Sequence, residues 1–199
     1  EVTEDISFHF ERVSAISSVF YSVVINAPKI TLYISNKCTS ASRVFRGVNS
    51  TTKTIEIIGD TSNITTWWEA FSGKETVEYI NCDFDFTNAT TIDTIFNGCS
   101  ALKAFHCKNL KKTATIGSRY TFSSCSSLED VTFTDCEIGD NLGFNTASKL
   151  SAESVQSISK ALANLTSETA KTIIFHADVK AKLTEEQIAT ITGKNWTLA

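Results

Sequence analysis

Phenylalanine recurs along the first part of the chain at an almost constant interval. Phe20, Phe45, Phe71, Phe96 and Phe122 are separated by 25, 26, 25 and 26 residues. After each one comes a short segment whose apolar residues are spaced by three and then two positions, with polar residues between them. Such spacing favours a short strand with one buried face. The pattern therefore predicts repeated units, each with one turn that directs an aromatic ring inward and one short strand.

The strand segments repeat together with the phenylalanines. Their apolar cores are Ala27-x-x-Ile30-x-Leu32, Thr52-x-x-Ile55-x-Ile57, Val77-x-x-Ile80-x-Cys82, Leu102-x-x-Phe105-x-Cys107 and Leu128-x-x-Val131-x-Phe133. A fixed period of roughly 20–29 residues with such a core is the signature of a leucine-rich-repeat solenoid, in which stacked units bury the apolar face that one unit cannot cover alone. We therefore predict an α/β repeat fold with a parallel sheet of about five to six short strands.

Two of the repeats carry a more specific motif. The segments IGSRYTFSSCSSLEDVTF and IDTIFNGCSALKAFHC resemble the BspA-type subfamily of leucine-rich repeats, whose units follow I-G-x-x-x-F-x-x-C-x-S-L-x-x-V. The resemblance covers about Phe20 to Cys136, and the first three copies lack the cysteine after the phenylalanine. It implies a bacterial or phage-encoded surface protein that binds a ligand, and it supplies no catalytic residues.

The N-terminal end of the chain departs from the repeat. Ile6, Phe8 and Phe10 alternate with polar residues. This alternation favours a half-buried strand and predicts an N-terminal strand cap over residues 1–15. Residues 16–140 then form the predicted leucine-rich repeats.

The C-terminal residues 141–199 show helix signals instead. Ser151 is a candidate N-cap, and Thr184 with Gln187 forms a candidate capping box. Short strands are predicted at 171–175, as the sixth strand of the sheet, and at 196–198. This tail resembles a C-terminal module of the same repeat proteins, and we predict that it is a helix and strand cap within a single domain.

Composition narrows the choice of partners. The chain has 199 residues, of which 42% are hydrophobic and 20% charged, as in an ordinary globular domain. A net charge of −4 argues against nucleic acid and anionic membranes as partners, since both require concentrated Lys and Arg. No apolar run approaches the roughly 18 residues that a membrane helix needs, so no membrane insertion is predicted. The chain begins at Glu1 and has no Met, so we expect a segment attached to a longer upstream chain or a processed form.

Four of the six cysteines occupy equivalent positions of the repeat. Cys99 and Cys125 come three positions after their phenylalanine, and Cys82 and Cys107 occupy the last strand position. Equivalent positions in stacked units predict a ladder of small buried thiols, with structural disulfides as the alternative. The Cys and His spacings are not those of a metal site, so no metal or cofactor is predicted.

The candidates for catalysis are few. The histidines are His9, His106 and His176, and none lies in a catalytic motif. His106 stands beside Cys107, but adjacent residues of a strand point to opposite faces. The chain is therefore predicted not to be an enzyme.

Binding residues are predicted at the strand positions between the buried ones, because these point to the exposed face of the sheet. They are Tyr33, Glu56, Ile58, Tyr79, Asn81, Asp83, His106 and Lys108. Trp67 and Trp68 form a second candidate platform, with the alternative that one fills the core and the other covers a loop.

These features favour a non-enzymatic binding or adhesion module that recognises a host or matrix protein or glycan through the sheet face. The resemblance implies an extracellular location on a bacterial cell surface. The alternative is a structural or receptor-contacting component of a phage particle, located in the virion.

Overall fold

The apolar segments that follow the periodic phenylalanines form short parallel strands in the computed structural model, which describes residues 4–47, 51–117 and 120–199. The strands β1 (Ile6–Phe10), β2 (Lys29–Ile34), β3 (Thr54–Ile58) and β4 (Tyr79–Cys82) pair in that order. A second sheet contains β5 (Phe84–Asp85), β6 (Ala104–Lys108) and β7 (Asp130–Thr134). In a third, β9 (Lys171–Phe175) lies between β8 (Leu142–Phe144) and β10 (Trp196–Leu198). The helices are α1 (Ala152–Ala161), α2 (Ala177–Lys180) and α3 (Glu185–Gly193).

The sequence repeat sets the register of the strands. Ile30 lies opposite Ile55, and Ile55 lies opposite Ile80, so equivalent positions of successive repeats are direct neighbours. All of these pairings are parallel. The molecule is therefore an α/β protein with short parallel strands and few helices, as the sequence predicted at this coarse level.

The strands do not form the single sheet that the sequence predicted. The backbone N–H of Lys103 donates to Glu78, at an offset of 25 residues, but Phe84 pairs with Cys107, at an offset of 23. The third repeat thus has two more residues than the fourth between these points, and they form a bulge that ends β4 before β5 begins. Bulges of this kind interrupt strand pairing and redirect the chain. The predicted strand at 171–175 is present, but it belongs to the third sheet.

The periodic phenylalanines form one stack through the core. Neighbouring ring centroids from Phe20 to Phe122 are 5.2, 5.9, 5.7 and 5.8 Å apart. Phe144 continues the stack at 4.8 Å from Phe122, and Phe175 follows at 6.1 Å. Offset-stacked rings bury large apolar areas in a favourable geometry. The stack therefore ties the C-terminal residues to the same core as the repeats.

The turn after each periodic phenylalanine has a constant backbone conformation. The residue two positions after the ring has a positive φ in all five units, and these residues are Ser22, Gly47, Gly73, Gly98 and Ser124. Glycine is favoured there because the left-handed region is strained for other residues. Close stacking adds to the demand, since a Cβ on Gly98 would lie 3.3 Å from the Cα of Gly73. The F-x-G pattern of three repeats thus reports a shared turn.

The C-terminal helix starts agree with the sequence. Ser151 caps α1 by accepting a hydrogen bond from the N–H of Ser154, and Thr184 forms a capping box with Gln187. The short strand at 196–198 is also present. The first three residues of the predicted N-terminal segment 1–15, and Ser118 and Arg119 of the fifth repeat, lie outside the described residues.

Candidate functional site

The predicted binding residues of the strands lie on the outer face of the sheets, with different degrees of exposure. Ile58 and Tyr79 expose 42% and 43% of their surface, and Asn81, Asp83 and His106 are exposed as well. Tyr33, Glu56 and Lys108 are half-buried. The alternation of buried and exposed residues along β3, β6 and β7 follows the strand periodicity that the sequence showed.

The two tryptophans have separate environments. Trp67 is fully buried, with its ring 5.2 Å from that of Phe84, so it cannot contact a ligand at the surface and its prediction as a binding residue was wrong. Trp68 is exposed and lies under the guanidinium of Arg43, whose Cζ is 3.9 Å from the ring centroid. Trp67 is buried and Trp68 exposed because adjacent side chains of this turn point to opposite sides. The alternative interpretation, one core ring and one surface ring, describes the pair.

A small cavity opens where the bulge separates β4 from β6. Its volume is about 220 Å³, and its lining consists of Tyr79, Ile80, Asn81, Cys82, Ala104 and His106. Three of the predicted binding residues, Tyr79, Asn81 and His106, therefore share one site. Tyr33, Glu56 and Ile58 lie on the neighbouring strands β2 and β3, Asp83 lies in the bulge, and Lys108 is the last residue of β6.

Side-chain contacts between neighbouring strands pair the polar and charged groups around this cavity. His106 Nε2 lies 2.7 Å from Asp130 Oδ2, and Lys108 Nζ lies 2.7 Å from Asp83 Oδ2. Hydrogen bonding to Asp83 raises the pKa of the Lys108 ammonium. Because these groups already have partners on the protein, the face offers a ligand paired polar groups and aromatic surface.

Charged side chains on the N-terminal side of the cavity are also paired across neighbouring strands. The Glu78 carboxylate accepts a hydrogen bond from Lys103 at 2.7 Å and lies 3.3 Å from Lys53. Both ammonium groups lower the pKa of the Glu78 carboxyl, and Lys103 has the larger effect. On β2 and β3, Lys29 lies 2.7 Å from Glu56 and lowers the pKa of that carboxyl.

Aromatic side chains on this face are held in place by their neighbours. Lys103 Nζ lies 3.4 Å from the hydroxyl of Tyr79 and 5.1 Å from its ring centroid. The ring of Tyr33 stacks on His9 at 4.5 Å with an interplanar angle of 2°. An aromatic ring that is already oriented loses less conformational entropy when it binds a ligand.

The chemical groups of a hydrolase are only partly present. His106 has a carboxylate partner, but no hydroxyl or thiol among the described residues hydrogen-bonds its ring. Cys107 is 5% exposed and points to the opposite face, as the sequence predicted. The described ranges contain no group of three His, Cys, Asp or Glu side chains that could hold a metal ion. No helix in that part of the chain is long and apolar enough to cross a membrane.

Comparisons of the chain with protein-family models, with curated proteins and with solved structures found no match. The sequence did not identify Lys103 and Asp130 as partners of Tyr79 and His106, because these contacts join residues about 24 positions apart in neighbouring repeats.

Proposed function

We propose that the chain is a short leucine-rich-repeat-like solenoid that acts as a non-enzymatic binding module. Three repeated features support this interpretation: the parallel pairing of strands at intervals of about 25 residues, the phenylalanine stack and the positive-φ turn. A solenoid with one open sheet face offers a continuous surface that is suited to macromolecular ligands. The bacterial cell surface as its location is supported by the resemblance of the repeats alone.

The cavity beside Tyr79 and His106 is the observation on which the proposed binding site rests. At about 220 Å³ it is smaller than the roughly 300–1,000 Å³ typical of sites for whole small molecules. It therefore suits one projecting group of a larger ligand, such as a sugar ring of a glycan or a side chain of a protein. Tyr79 would supply a flat apolar surface, while Asn81 and His106 would supply hydrogen bonds.

The test is a binding screen of the purified chain on printed arrays of glycans and extracellular-matrix proteins. We expect the double variant Tyr79→Ala/His106→Ala to lose at least about tenfold in affinity for any ligand found, which is about 1.4 kcal/mol. The matched control is Tyr21→Ala, because Tyr21 is equally exposed, at 46%, but lies in a turn away from the cavity.

Circular dichroism of both variants should match that of the parent chain. Equal affinity of the double variant and the parent would contradict the proposed site. Failure of the parent chain to bind any printed ligand would contradict the binding function itself.

A further inference from the structure

Two thiols lie in contact between the fourth and fifth repeats. Cys107 on β6 and Cys136, just after β7, have their sulfur atoms 3.9 Å apart, and all six cysteines are free thiols. A disulfide requires a sulfur to sulfur distance of about 2.05 Å, so the pair needs an approach of roughly 2 Å. The side chains already point toward each other, and Cys136 follows the end of its strand, where the backbone is less constrained than inside the ladder.

The two thiols differ in access and in acidity. Cys136 is partly exposed and accepts a hydrogen bond from the backbone N–H of Leu110 at 3.3 Å. The hydrogen bond with Cys107, followed by that from Leu110, lowers the pKa of Cys136 despite its partial burial. Burial raises the pKa of Cys107 well above its ordinary value. Since the thiolate is the reactive form, Cys136 is the thiol that meets an oxidant first.

The other cysteines lack this combination. Burial raises the pKa of Cys99 to about 12 and also raises those of Cys38, Cys82 and Cys125. Thiol donation to a backbone carbonyl is shared, from Cys99 to Phe71, from Cys125 to Phe96 and from Cys136 to Thr134. The difference lies in burial, because Cys136 is partly exposed whereas Cys99 and Cys125 are completely buried. They are therefore core thiols of the ladder that the sequence predicted, whereas Cys107 and Cys136 form a separate pair.

We propose that Cys107 and Cys136 are a site of reversible disulfide formation that links the fourth repeat to the fifth in the presence of a disulfide oxidant. In the first step the Cys136 thiolate attacks one sulfur of the oxidant, whose own S–S bond breaks and releases one thiolate. In the second step Cys107 loses its proton to solvent and attacks the Cys136 sulfur of the mixed disulfide, which releases the second thiol. Two protein thiols are oxidised and one external disulfide is reduced to two thiols.

The link would close a loop between positions 107 and 136 and constrain β6 against β7. A loop of about 30 residues is long enough for a substantial restriction of the unfolded chain. We expect oxidation to raise the melting temperature by about 5–10 °C for a chain of this size. An oxidising extracellular compartment would favour this form.

The test uses the full chain, fully reduced and then incubated with oxidised glutathione. We expect the loss of two free thiols without a retained glutathione adduct, and a tryptic peptide Ala104–Lys108 linked to the peptide that contains Cys136. Cys136→Ser should abolish the link and the rise in melting temperature. Cys125→Ala should preserve both, and it also removes the ambiguity of a second cysteine in the same tryptic peptide.

Six free thiols after incubation, a glutathione adduct that persists on Cys136, or a link between other cysteines would each overturn the proposal. Because Cys136 is partly exposed, the Cys136→Ser chain should fold, and its circular dichroism before oxidation checks that it does.

Discussion

Helix α1 lies along the outer edge of β7 at the C-terminal end of the repeats, whereas β1 at the N-terminal end has only β2 beside it among the described strands. The N–H of Val131 donates to Ser154 Oγ at 2.8 Å, and the N–H of Phe133 donates to Ser157 Oγ at 3.0 Å. Ser154 in turn donates to the carbonyl of Glu129. Serine side chains of a helix therefore take the place of a neighbouring strand.

The difference shows two solutions to the same physical problem. An unpaired strand edge presents backbone groups to any other extended chain, so natural sheets cover or blunt such edges. The C-terminal edge is covered. At the N-terminal edge the flanking residues are Glu4, Asp5, Glu11 and Arg12, and charged residues at an edge oppose strand addition. We therefore expect the removal of a core side chain to lower the free energy of unfolding more at the C-terminal end than at the N-terminal end.

The largest expected effect on stability comes from removing one phenylalanine ring of the core at each end of the molecule. Phe144 is fully buried, so Phe144→Ala should lower the free energy of unfolding by about 3–5 kcal/mol. Phe8 is half-buried and packs on Phe20 at 4.6 Å, so Phe8→Ala should cost about 1–2 kcal/mol. Urea unfolding of the two variants measures both values. Equal losses would break the comparison, since they would mean that the N-terminal end is as well covered in solution as the C-terminal end.

A smaller effect is expected from the serines that cover β7. Ser154→Ala leaves the buried N–H of Val131 without its partner, whereas the carbonyl of Glu129 still accepts from the N–H of Ser151, and the variant should cost about 1–3 kcal/mol. Ser159→Ala is the matched control, because Ser159 is equally buried but its hydroxyl donates to the carbonyl of Val155 in its own helix. Its loss should be below about 0.5 kcal/mol. The edge interpretation fails if thermal unfolding shows the same loss in both variants.

The sequence predicted the elements of this molecule better than their arrangement. Strand positions followed from apolar spacing, and the helix starts followed from Ser151, Thr184 and Gln187, because both signals are local. The bulge after Cys82 arises because the segment from Glu78 to Phe84 is two residues longer than the equivalent segment from Lys103 to Cys107, and it both splits the sheet and forms the cavity. Local spacing within one repeat cannot show such a difference.

The candidate site was predictable in part for the same reason. Strand alternation placed Tyr79, Asn81 and His106 on one face, but it could not show that they meet in one cavity.

The burial of Lys74, outside this site, was not predicted from the sequence. Lys74 stands three positions after Phe71, where Cys99 and Cys125 stand in later repeats. Its side chain is buried, and burial lowers the pKa of its ammonium group to about 8. Lysine is usually exposed, so its presence at this repeat position did not indicate a buried side chain.

The smallest expected effect concerns the turn that both ends share. Ser22 in the first repeat and Ser124 in the fifth have φ values of 56° and 63°, where glycine is less strained than serine. The relief of strain should exceed the added entropy of glycine in the unfolded chain, so Ser22→Gly and Ser124→Gly should each stabilise by about 0.5 kcal/mol. Ser123→Gly is the control, since Ser123 lacks a positive φ and should lose about 0.5–1 kcal/mol. Equal gains in stability at Ser22 and Ser124 would mean that the two ends of the molecule differ only in how their strand edges are covered. A gain at only one of these serines would mean that the turns also contribute to the difference.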